Sequence, residues 1–170
     1  MKQLFILAMA ILSLFSCSFI SSSNFWLTFQ KENQISKNNS QGARGGHLQI
    51  SWECSNENCF NTKEIINYAR QNGWEYLDSI AISKNILYNW KYNDKDIFPL
   101  ANTGFNFRDI VGSSSFQYFP RYIETDLTVY RFKTNVLLFE AGTDDGTDIN
   151  GFVVVSQSKK QMSVYHYWGE

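Results

Sequence analysis

Three groups of residues in this chain have types and spacing suited to chemistry. His166, within Tyr165-His166-Tyr167-Trp168, is the histidine of the strand-rich half, and His47 follows Arg44-Gly45-Gly46. By alternation His166 shares a face with Met162, Val164 and Trp168, so it reads as a core or surface residue, with a general base as the alternative. Two histidines cannot supply a three-His zinc site, and no H-E-x-x-H or G-x-S-x-G string occurs. The second group is the oxygen-rich stretch from Gly142 to Gly151, where Asp144, Asp148 and Asn150 stand at calcium-loop-like steps. The EF-hand spacing fails in every register, so a hairpin turn built from Asp, Asn and Gly is the main expectation and a weak cation site the other. Cys54 and Cys59 form the third group, with four polar residues between them. In an oxidising compartment such a pair reads as a local disulfide; free thiols and metal or redox chemistry are the alternatives. No pair among the sixteen acidic residues is singled out, and no glycine-rich phosphate loop is present.

Binding rests on aromatics. Phe 14, Tyr 9 and Trp 5 make 16% of the 170 residues, against 18% charged, which excludes a disordered chain. Fifteen basic against sixteen acidic residues leave no basic footprint for nucleic acid. Tyr88, Trp90 and Tyr92 share one face of a strand pattern, and Phe105, Phe107 and Phe116 stud a Gly/Ser/Asn-rich stretch. Tyr and Trp combine contact area with a polar handle, so these six are the candidate binding face. Their other reading is core opposite a single helix.

Residues 1–23 hold one Lys and no acidic residue, with an apolar run from Leu4 to Phe15. Twelve residues suit the apolar region of an export signal better than a membrane span of about 20. Leu14-Phe15-Ser16-Cys17 resembles the lipobox of bacterial lipoproteins. That resemblance implies cleavage before Cys17, acylation of that residue, and a membrane anchor without a span. Ordinary signal cleavage after Ser21-Ser22-Ser23 is the competing route and would give a soluble periplasmic or secreted protein.

Residues 24–46 are mostly polar and lack a regular apolar period, so a flexible linker, or at most one amphipathic turn around Phe25-Trp26-Leu27-Phe29, is expected there, ahead of one domain over 47–170. His47–Glu53 alternates, with Leu48, Ile50 and Trp52 on one face, as a half-buried strand does. Asn61 with Glu64 three residues on, and Phe60 with Ile65, match a capping box and a hydrophobic staple. A helix over Thr62–Gln71 follows, with a core stripe of Ile65, Ile66 and Ala69 and a stop at Asn72-Gly73. Strand patterns then cover 74–82, 86–92, 118–123, 127–133, 136–141, 151–157 and 161–168, with turns at 93–96 and 158–160. The fold class expected is α+β, an antiparallel or mixed β-sheet of five to seven strands packed by one helix.

These observations predict an exported bacterial envelope protein, a lipoprotein by its leader, that acts by protein binding and requires no cofactor. Its partner would be an envelope protein, or a toxin neutralised in the periplasm. The alternative is a periplasmic hydrolase using dispersed carboxylates and His166.

Overall fold

The computed structural model describes residues 23–84, 91–92, 95–96, 123, 125–139 and 142–169. Two 3-10 turns, Asn24–Thr28 and Lys31–Asn33, lead into β1 (Gln34–Gln41) and β2 (Gly45–Glu53). The helix α1 (Thr62–Gln71) and β3 (Glu75–Ile82) follow, then the short β4 (Lys91–Tyr92) and β5 (Lys95–Asp96). The C-terminal part comprises β6 (Leu127–Lys133), β7 (Leu138–Phe139), β8 (Gly146–Thr147), β9 (Gly151–Ser156) and β10 (Gln161–Gly169). The main sheet runs β1-β2-β10-β9-β6-β3 with antiparallel neighbours, and β7 and β8 join it to make eight strands. β7 meets β10 in parallel at Leu138 and Gly169. The class is therefore α+β, with one more strand than the upper end of the expected range. β4 and β5 pair only with each other.

Local chemistry explains α1. The Asn61 side chain accepts hydrogen bonds from the Lys63 and Glu64 backbone N–H groups, satisfying two of the donors every helix start leaves open. Phe60 and Ile65 are both fully buried beneath that cap. At the far end Gly73 takes φ +90°, a left-handed conformation that glycine adopts without a Cβ clash. Cys54 and Cys59 are disulfide-bonded. The loop they close is stitched to the β9–β10 hairpin by Cys54 N–H to Lys160 O (2.9 Å) and Phe60 N–H to Lys159 O (3.1 Å).

Strand burial follows sheet position. β2 lies between β1 and β10, so Gln49 and Ser51 are buried along with Leu48, Ile50 and Trp52. All of β9, Gly-Phe-Val-Val-Val-Ser, is buried, as expected of a central strand with both faces covered. β3 loses its alternation at a register shift between Tyr76 and Asp78.

Residues 24–46 correct the linker expectation. Trp26, at 0% exposure, sits in an aromatic cluster with Phe25, Phe29, Trp52, Tyr68 and Trp74. The Trp52 indole N–H donates to Phe29 O at 2.9 Å, and the Tyr68 hydroxyl to Phe25 O at 2.7 Å. β1 then pairs along β2. The ordered fold thus begins at least as early as Ser23, well ahead of His47. Alternation could not reveal β1, because seven of its eight residues are exposed and it has no buried face.

Candidate functional site

The chemically richest cluster forms where β10, β9 and the loop after β6 meet residue 23. β10 places Met162, Val164, His166 and Trp168 on the side facing α1, and His166 pairs with Leu48 of β2 and Gly151 of β9. A Cβ on Gly151 would lie 2.5 Å from Thr134 Cγ2 and 2.8 Å from Trp74 Cζ3. Glycine at this position is what lets Thr134 and Trp74 close over the imidazole. The Trp74 ring meets His166 edge-on at 5.5 Å, and Trp168 tilts against it at 4.8 Å.

The hydrogen bonds fix the imidazole's state. Asn150 Nδ2 donates to Val136 O (2.8 Å) and Tyr167 O (2.6 Å), so Asn150 Oδ1 is left to accept. Thr134 Oγ1 donates to that oxygen at 2.7 Å, which uses its one hydroxyl hydrogen. His166 Nε2, 3.1 Å from Thr134 Oγ1, must then be the donor to it. Nδ1 is bare and accepts from Ser23 Oγ at 2.9 Å. The chain Ser23–His166–Thr134–Asn150 is fully paired and sealed, with none of the four more than 1% exposed. Burial disfavours the charged ring and lowers the His166 pKa to about 3.

A serine hydroxyl donating to an imidazole nitrogen is the pairing that activates a nucleophile. Here both partners are at 0% exposure, and an imidazole with so low a pKa is a poor proton acceptor at neutral pH. Among the described residues no carboxylate bonds to His166: its partners there are two hydroxyls. The cluster works as a clamp that ties residue 23 to the last strand.

The other candidates fall as follows. Asn150 turns into the core, and Asp148 pairs with Lys133 at 3.6 Å, while Asp144 stands exposed. The three ligands of the alternative, cation-site reading are therefore not turned toward one another. Hydroxyls organise this turn instead: Thr143 Oγ1 accepts from Asp145 N–H and Thr147 Oγ1 from Ile149 N–H. His47 is half-buried and stacks on Tyr167 at 5.8 Å; its pKa is lowered by burial. Its neighbours on that sheet face are Gln49, Ser51, Ser163 and Tyr165, all buried. Ser51 and Ser163 share a 3.0 Å hydrogen bond, and burial pushes the Tyr165 hydroxyl up to about 12. Cys17, Tyr88, Trp90, Phe105, Phe107 and Phe116 lie outside the described residues, as does the side chain of Tyr92.

Ser23, Thr134 and Asn150 were not expected as partners of His166. Asn150 was singled out for another role, and nothing in the local sequence around Ser23 or Thr134 signals a contact 143 or 32 residues away. No helix among the described residues is long and apolar enough to cross a membrane. Set against known proteins, the chain matches no family model, no curated protein and no solved structure.

Proposed function

We propose that this chain is an exported bacterial envelope protein, a lipoprotein by its leader, whose domain works by binding another protein. The observation carrying the binding reading is β1, an eight-residue strand at the edge of the sheet with seven residues exposed. Among the described residues only β2 pairs with it. An edge strand offers a row of backbone donors and acceptors to an extended partner segment, with side chains on alternate positions giving selectivity. Its Ser, Asn and Gln side chains suit a polar partner strand from an envelope protein or a toxin. The Cys54–Cys59 disulfide supports a location outside the reducing cytosol. The sealing of His166 and Ser23 favours binding over hydrolysis.

A photo-crosslinking residue placed at Asn38, with Asn67 on the exposed side of α1 as control, tests this in cells carrying the full chain. The expected result is a discrete protein adduct from Asn38 that Asn67 does not give. No adduct at Asn38, or the same adducts from both positions, defeats the reading.

A further inference from the structure

We infer that the mature chain keeps Ser23, the leader being cut ahead of Cys17 and not after Ser21-Ser22-Ser23. This rests on the proposed reading of the chain as exported, and it decides between the two processing routes open to its sequence. Ser23 is part of the fold in two ways. Its hydroxyl donates to His166 Nδ1 at 2.9 Å inside the core. Its carbonyl accepts from Trp26 N–H at 3.0 Å, the bond that opens the 3-10 turn carrying Trp26 into the aromatic cluster.

Cleavage after Ser23 removes both groups at once. The bare Nδ1 of a fully buried imidazole would lose its donor, and a buried acceptor without a partner bears its full desolvation cost. The new α-ammonium would sit on Asn24, immediately beside the turn that holds Trp26. Cleavage before Cys17 disturbs none of this. It leaves residues 18–22 between the acylated cysteine and the first clamped residue. Even fully extended, six such links reach only about 20 Å. The tether is thus this short segment and not residues 24–46, and the end of the sheet bearing Ser23 and His166 is held close to the bilayer.

The test is intact mass and membrane fractionation of the full chain, produced with its own leader in a bacterial envelope, alongside the C17S and S23A variants. Wild type is expected to start at Cys17 with acyl chains attached and to leave the membrane only with detergent. C17S is expected to lose that species. S23A is expected to start at Cys17 as wild type does but to melt several degrees lower. A wild-type chain starting at Asn24, or the same N-terminus in wild type and C17S, overturns the inference and the lipid anchor with it, while leaving export and the binding reading intact. Wild-type melting in S23A also overturns it, since the reason for keeping Ser23 is then gone. An uncleaved chain in the cytosol overturns the export reading itself, and the inference with it.

Discussion

Lowering the pH from about 7.5 to about 5 is expected to destabilise the folded protein by about 2 kcal/mol through His166 alone. Burial holds the native pKa at about 3, against an ordinary value of 6.5 for the ring once the chain unfolds. Between those values the unfolded chain binds a proton that the native state refuses, so stability falls as pH falls. The contribution is fully present above the unfolded pKa. Each pH unit below it removes about 1.4 kcal/mol, or about 2 kcal/mol by pH 5 and at most about 5 kcal/mol once the pH passes below the native value. Two other groups must be separated from it. Asp78, whose carboxyl the Arg131 guanidinium holds below its ordinary 3.8, loses its contribution only at more acid pH. His47, also lowered by burial, acts in the same direction and window. Urea unfolding of wild type, H166Q and H47Q across this range at fixed ionic strength resolves the three. H166Q is expected to be less stable near neutrality, where it loses the Ser23 and Thr134 geometry, and to show a much flatter pH slope. H47Q is expected to keep most of the wild-type slope. A wild-type stability that stays level from about pH 7.5 to 5, or a slope that survives H166Q, refutes the sealed neutral imidazole.

Truncating Trp26 to Ala should lower the unfolding free energy by about 3–5 kcal/mol, measured by urea titration; a change near zero would return residues 24–46 to linker status. Replacing Asn61 with Ala should cost about 1 kcal/mol and reduce the melting temperature without altering the circular dichroism of the native state; a cap that contributes nothing would leave melting unchanged. Removing the disulfide with the C54S/C59S pair closes no loop of six residues, for which chain entropy gives about 2 kcal/mol; wild-type stability under non-reducing conditions would contradict that. G151A should destabilise by at least about 1–3 kcal/mol, because its Cβ would press on Thr134 and Trp74; hydrogen exchange at β9 and β10 should rise with it, and unchanged protection would argue against the close approach.

Elements whose signals are local were legible in the sequence. The helix over Thr62–Gln71 stands where its cap, staple and glycine stop place it, because each of those interactions joins residues within a few positions of one another. β6 spans the predicted Leu127–Lys133, and β9 and β10 agree with expectation to within a residue. Of the predicted 136–141, Leu138–Phe139 form β7, 140–141 lie outside the described residues, and 136–137 stay out of the ladder, the Val136 carbonyl accepting from Asn150 Nδ2 instead. β1 was hidden for a different reason. A strand with water on both sides has no hydrophobic period, and its pairing is decided by the backbone of β2. The aromatic run Phe25-Trp26-Leu27 was visible, but that its rings fill the core between α1 and the sheet depends on Trp52, Tyr68 and Trp74, all distant in sequence.

The clamp was illegible on the same grounds, and its chemistry explains why a histidine occupies that position. A purely apolar residue at 166 would remove the imidazole contact of both Ser23 Oγ and Thr134 Oγ1. A lone acceptor or a lone donor could satisfy only one of them. Neutral imidazole is both at once, with a bare nitrogen for Ser23 and an N–H for Thr134, separated by the width of the ring. The first described residue and the final strand are thereby bonded through one side chain, with Asn150 relaying the same network to the Val136 and Tyr167 carbonyls. The arrangement holds only while the ring stays uncharged. An imidazolium has no lone pair for the Ser23 hydroxyl, so protonation turns that contact from acceptor to donor and buries a charge to which no carboxylate among the described residues is bonded. Acid sensitivity comes from the burial of the ring, and protonation also takes away the acceptor that holds the Ser23 hydroxyl.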